Sequence, residues 1–264
     1  MKNKTFEYGR QLKELLKFKG DIEFHRFFIE YSINQYKSIG GGKNKLGSIL
    51  VLGANERETE ILIKYPFKKI VLSGIVELSE KMKNIIKKDS RMSYVNENIE
   101  CLSARDKSFD IVYCKESLHH VPRPIIGIYE MLRVCKKAII FIEPNETFIG
   151  NLLDFLSLSS NYEKNQKGNV RHRDNFVYRW RKKDIEKILN SYYLESGYEL
   201  HLTTCWNSNQ QGFRNHRFRD LFIIAMWIMS HFFFSRGNYL NALILPGSNL
   251  PSKIKRRSRN ENEN

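Results

Sequence analysis

Between residues 48 and 145, short apolar runs alternate with amphipathic stretches. Ser48-Ile49-Leu50-Val51-Leu52 is an apolar run that ends at Gly53, the pattern of a strand buried on both faces. Arg57–Tyr65 follows as a helix stopped by Pro66. Lys69–Glu77 predicts a second strand, and Ser79–Lys88 a helix with Ser79 as its N-cap. Met92–Val95 is a weak third strand and Phe109–Cys114 a clear fourth. Pro124–Val134 reads as a helix, and Ala138–Glu143 as a fifth strand closed by Pro144. Strands and helices in this rhythm predict an α/β fold, a doubly wound and mostly parallel sheet joined by right-handed crossovers.

The flanks follow other patterns. Residues 1–47 predict a helical N-terminal cap. Leu12, Leu15 and Leu16 recur at helical spacing, as do Phe24, Phe27, Phe28 and Tyr31, with Gly20 between the two groups. Gly40-Gly41-Gly42 marks a linker into the domain. Residues 146–180 break the alternation and include the polar stretch Asn161–Asp174, so they are expected to form a lid or substrate insert. Lys182–Tyr193 reads as a helix and Tyr198–Cys205 as a strand, which ends the main domain, 48–205. Residues 206–252 read as an apolar C-terminal helical extension built on Leu221–Phe234, and 253–264 as a disordered basic tail. No internal repeat is visible.

The chain has 264 residues, 41% hydrophobic and 12% aromatic, enough for one large domain with a buried core. The formal net charge of +15 has two open readings: an anionic partner, or a bias in residue usage spread along the chain. The four cysteines, 101, 114, 135 and 205, form no C-x-x-C pair, so no metal site is expected and a reducing, cytoplasmic setting is. The residues after Met1-Lys2-Asn3-Lys4 lack the apolar core of a signal peptide. No apolar run reaches the ~18 residues of a spanning helix. Leu221–Phe234 is apolar nearly all round, which favours burial; the alternative is peripheral contact with an anionic membrane through Arg214, Arg217, Arg219 and Arg236.

In a doubly wound sheet, ligands bind beyond the carboxyl ends of the strands. Gly53 and Asn55 turn the chain there after strand one, and both tolerate the unusual backbone such a turn needs. Glu77, at the expected end of strand two, is placed to accept the hydroxyls of a ribose; its alternative is a solvated acid at the start of the next helix. His119 and His120 follow strand four at the mouth of the site, where an imidazole can act as a base near neutral pH or simply stabilise a turn. Arg171-His172-Arg173 could hold a phosphorylated acceptor, although a solvated loop explains it better.

Ser108-Phe109-Asp110-Ile111-Val112-Tyr113-Cys114-Lys115-Glu116-Ser117-Leu118-His119-His120-Val121-Pro122 resembles the fourth-strand signature of class I S-adenosylmethionine-dependent methyltransferases, most of all those acting on small molecules and sugars. Glu130-Met131-Leu132-Arg133-Val134 resembles the helix that follows, Val76-Glu77-Leu78-Ser79-Glu80-Lys81-Met82 the second strand and helix start, and Gly53 the first glycine of motif I. The resemblance covers residues 48–145 and, more loosely, 178–200. It implies a Rossmann-like fold with S-adenosylmethionine as cofactor. It further implies that Gly53 and Asn55 cradle the methionine end, that Glu77 binds the ribose, and that Leu78 packs on the adenine. By the same resemblance Asn98 accepts the adenine amino group, Ile99 lies along the adenine edge, and Cys114 sits beside the cofactor.

Three departures stand out. Val51 replaces an acid on strand one. Asn55 and Arg57 replace the later glycines of motif I. Cys135-Lys136-Lys137 replaces a Pro-Gly-Gly turn. Glu56 and Glu58 add negative charge where the cofactor carboxylate is expected, unless Arg57 compensates.

The expected function is methyl transfer to an oxygen of a small molecule or sugar, such as a precursor of cell-surface polysaccharide, with His120 favoured slightly over His119 as base. The alternative is a non-catalytic binding module that keeps the fold. A nucleic-acid methyltransferase ranks third, because no aromatic-basic reading motif and no Asn/Asp-Pro-Pro-Tyr/Phe stretch accompanies the charge.

Overall fold

The computed structural model describes residues 21–39, 46–75, 77–155, 162–163, 175–194, 196–205, 220–221, 224–225, 228 and 237–247. Seven strands form one sheet: β1 (Ser48–Leu52), β2 (Lys69–Gly74), β3 (Met92–Asn96), β4 (Phe109–Lys115), β5 (Cys135–Pro144), β8 (Tyr198–Cys205) and β9 (Tyr239–Pro246). Two short strands, β6 (Tyr162–Glu163) and β7 (Asn175–Phe176), pair apart from it. The helices are α1 (Asp21–Ile39), α2 (Glu56–Leu62), α3 (Glu80–Lys88), α4 (Pro124–Val134), α5 (Phe148–Phe155) and α6 (Lys182–Tyr192).

The sheet order is β3-β2-β1-β4-β5-β9-β8. The first five strands are parallel, and β9 runs antiparallel to both of its neighbours. Strand order reverses between β1 and β4, so the crevice for a ligand opens beyond Leu52 and Cys114, which face each other in register.

Both faces of the central part of the sheet are covered, which is why β1, β4, β5 and β9 are largely apolar without regular alternation. Phe24, Phe28 and Ile33 of α1 pack with Val51, Tyr113 and Ile140 on one face. Leu132 of α4 and Ile185 and Leu189 of α6 pack with Val112, Phe141 and Trp180 on the other. Side-chain bonds tie α1 to the far strands: Asn241 Nδ2 donates to Gln35 Oε1 at 3.0 Å, and Tyr31 Oη lies 3.1 Å from Thr203 Oγ1.

Two elements differ from the sequence reading. β2 ends at Gly74, not Glu77, because Gly74 pairs with Asn96, the last residue of β3, and no strand continues beside it. Ile75 then lies exposed in a bend. β9 lies inside the stretch expected to be a helical extension. Its residues 240–245 are buried between β5 and β8, so the sheet draws on residues well past 205. The N-terminal half of the cap, the glycine linker, Arg171-His172-Arg173, most of Leu221–Phe234 and the tail lie outside the described residues.

Candidate active site

Gly53 leaves β1 with φ +64°, and a Cβ there would come within 2.0 Å of Ser117 Oγ. Only glycine lets the turn after β1 approach the turn after β4 this closely. Asn55 then caps α2. Its Oδ1 accepts from Arg57 N at 2.9 Å and Glu58 N at 3.2 Å, and the Glu58 carboxylate accepts from Asn55 N at 3.2 Å. This is a reciprocal capping box. The two acids of the turn do not crowd the crevice. Glu56 accepts from Ser79 Oγ at 2.6 Å and pairs with Lys81 at 3.3 Å, while Glu58 turns into the core.

β4 ends in a buried charged cluster. Lys115, its side chain 1% exposed, donates to Glu116 and lies 3.6 Å from Glu58. Glu116 also accepts from the Tyr239 hydroxyl of β9, with His25 Nδ1 of α1 at 3.7 Å. Its φ of 49° is unusual for a residue with a side chain, and the network around its carboxylate holds it there. Burial pushes the Glu58 carboxyl up, and Lys115 offsets this only in part. Burial also pushes Glu116 up, but Lys115, His25 and Tyr239 together bring it below the usual range.

The next turn, Leu118–His120, hangs on one carboxylate at the end of β5. Glu143 Oε1 accepts from Ser117 N and Leu118 N, each at 2.9 Å, and Oε2 lies 2.6 Å from His119 Nδ1. A carboxylate accepts, so Nδ1 of His119 carries the proton. Glu143 is fully buried and His119 3% exposed, while His120 is exposed, its ring centroid 4.1 Å from that of His119.

These residues enclose a cavity of about 340 Å³. Gly53, Asn55, Arg57, Ser117, His119 and His120 line one part; His25, Lys115, Glu116, Pro144 and Tyr239 line the rest. The structure thus gathers four of the sequence-predicted site residues: Gly53, Asn55, His119 and His120.

The other five stand elsewhere. Glu77 is exposed in the loop between β2 and α3, and Leu78 packs half-buried on the α1-side core. Asn98 is exposed, and its Oδ1 accepts from Glu100 N at 3.0 Å. Ile99 is buried against Gly127 of α4. Cys114 does not reach the cavity. It points to the α4 face of the sheet, opposite to Tyr113, and burial raises its thiol well above the usual range. Sequence reasoning missed Glu143, Tyr239 and His25. An acid at the carboxyl end of a parallel strand was a readable signal for Glu143, the same one that singled out Glu77.

The glycine turn lies at the switch point of the sheet, where a ligand binds in a doubly wound fold, and it lines the cavity. A family profile described as a methyltransferase domain matches residues 62–142. YcgJ of Bacillus subtilis is similar in structure, with a TM-score of 0.55 at 12% identity over 82% of this chain and 98% of that one. Magnesium protoporphyrin IX methyltransferase (ChlM) of Synechocystis, solved with S-adenosylhomocysteine bound, has a TM-score of 0.50 at 15% identity, covering 91% and 94%. The small RNA methyltransferase HEN1 has a TM-score of 0.51 at 13% identity over 82% of this chain; the match spans 25% of HEN1's own length. No curated protein sequence matches. At these identities the structures speak for the fold alone, a Rossmann-like domain with a seven-stranded sheet. The profile match over residues 62–142 supports an S-adenosylmethionine-dependent methyltransferase, with S-adenosylmethionine as its cofactor.

Proposed function

We propose that the protein methylates an oxygen of a small molecule or sugar, with His119 as the base that Glu143 orients. The observation that carries this reading is the 2.6 Å contact between His119 Nδ1 and a carboxylate with no exposed surface, at the wall of the cavity beside Gly53. The cofactor supplies a methyl group on a positively charged sulfur. With Nδ1 held by Glu143, Nε2 of His119 would be the nitrogen that takes the acceptor's hydroxyl proton as the oxygen accepts the methyl group. Glu143 stabilises the imidazolium that results, as a buried carboxylate does in other acid–base pairs. The polar lining and the modest volume suit a hydroxylated acceptor, and a precursor of surface polysaccharide is one such class.

The test is transfer of tritiated methyl from S-adenosylmethionine to pools of hydroxylated small molecules, nucleotide sugars and RNA. Label is expected in the first or second pool. Label in RNA alone would overturn the acceptor class.

The cofactor's ribose is assigned to Glu77 in the same reading. Glu77→Ala is expected to weaken S-adenosylhomocysteine binding by about 1.5–3 kcal/mol, the worth of a hydrogen bond to a charged group. Calorimetry checks this, and an unchanged dissociation constant removes Glu77 from the site.

A further inference from the structure

We infer that Arg57 binds the carboxylate of the cofactor's methionine end, in place of the backbone amides that a glycine-rich turn would offer. The inference rests on the reading that the cofactor lies over the Gly53 turn.

Five backbone donors of this turn, those of Ala54, Asn55, Arg57, Glu58 and Thr59, are already engaged. Ala54 N donates to Ser73 O at 2.9 Å and Asn55 N to Glu58 at 3.2 Å. Arg57 N and Glu58 N both donate to Asn55 Oδ1, and Thr59 N to Asn55 O at 3.1 Å. An incoming anion would have to break one of these bonds to gain another. The Asn55 side chain occupies the place a ligand oxygen would take, so the substitution of Asn55 for glycine closes the amide cradle.

The charge around the cavity makes the same demand. Glu58 and Glu116 flank Lys115, and Glu143 stands behind the Ser117 turn: three carboxylates against one buried cation. That balance favours the sulfonium and ammonium of the cofactor but opposes its carboxylate. A cation is needed at that end.

Two residues with permanent cationic character line the cavity, Arg57 and Lys115. Lys115 is held at the floor between Glu58 and Glu116. Arg57 stands half-buried on the first turn of α2, next to Gly53 and Asn55 on the wall. Its planar fork suits a carboxylate through two parallel bonds. The two departures from a glycine-rich turn therefore act together: the Asn55 side chain takes up two backbone donors, and Arg57 adds a side-chain donor in their place.

A side-chain anchor can be deleted by mutation, whereas a backbone cradle cannot. The experiment is calorimetric titration of wild type, Arg57→Ala and Arg57→Lys with S-adenosylhomocysteine and with 5′-methylthioadenosine, which keeps the nucleoside and sulfur but lacks the amino-acid portion. Arg57→Ala is expected to bind S-adenosylhomocysteine about tenfold to a hundredfold more weakly, the range for one lost charge-assisted contact. Its affinity for methylthioadenosine should equal that of wild type, and Arg57→Lys should lie between. Equal loss for both ligands, or no loss for either, overturns the Arg57 assignment and leaves the cofactor's place intact. Failure of the wild type to bind either ligand overturns the assignment together with the reading beneath it.

Discussion

His119→Ala is expected to slow methyl transfer by about 10²–10⁴-fold while leaving cofactor binding within a factor of two or so, the usual consequence of removing a general base. The alanine removes the proton acceptor but keeps the Gly53 turn, since Glu143 still accepts from Ser117 N and Leu118 N. Glu143→Gln should also be slow, because an amide cannot stabilise the imidazolium as a carboxylate does. His120→Ala should lose far less. Its ring is exposed and rests on His119, whose own ring holds the contact with Glu143. The measurement is single-turnover methyl transfer with whichever hydroxylated acceptor takes label. A wild-type rate in His119→Ala with a slow His120→Ala would reverse the assignment and restore the preference that the sequence alone suggests.

That preference shows where sequence reading stops. His119 and His120 are neighbours in one turn, and no local signal separates them. The distinction comes from Glu143, 24 residues away on another strand. Tyr239 is further removed, 123 residues from the Glu116 it holds. By contrast, the Gly53 turn, the Ser79 N-cap and the bounds of α4 and β8 were legible, because each is written in adjacent residues: a glycine after an apolar run, a serine before a helix, a proline at a helix start. β9 was missed for a physical reason. Tyr239–Pro246 is apolar except for Asn241 and shows no alternation, and periodicity cannot tell a strand buried on both faces from a buried helix. Its pairing with β5 and β8 is a long-range fact. The acids of the first turn make the same point. In sequence, Glu56 and Glu58 sit where they would repel the cofactor; in space, Ser79 and Lys81 draw one away and Lys115 the other.

Lys115→Met should therefore lower stability more than any other single change at the cavity, by about 3–5 kcal/mol at neutral pH, the range for breaking a buried ion pair by removing one partner. Methionine fills similar space but leaves Glu58 and Glu116 without their shared cation. Glu58 has the more to lose, since burial already holds its carboxyl above the usual range with Lys115 as the main offset. Glu116 keeps Tyr239 and His25 and should suffer less. The pH dependence carries the sign. In the variant both carboxyls have folded-state pKa values raised above the unfolded value. The folded protein then binds more protons than the unfolded chain, and the destabilisation fades as pH falls through the raised values toward the unfolded one. The gap between variant and wild type should narrow from pH 7 to pH 5. Adding Glu58→Gln to Lys115→Met should recover part of the loss at pH 7 and flatten this dependence, because the amide needs no counter-charge. Denaturant titrations at the two pH values measure all of it. A Lys115→Met protein as stable as wild type at pH 7, or a gap that does not depend on pH, would mean that the two carboxylates find their compensation elsewhere.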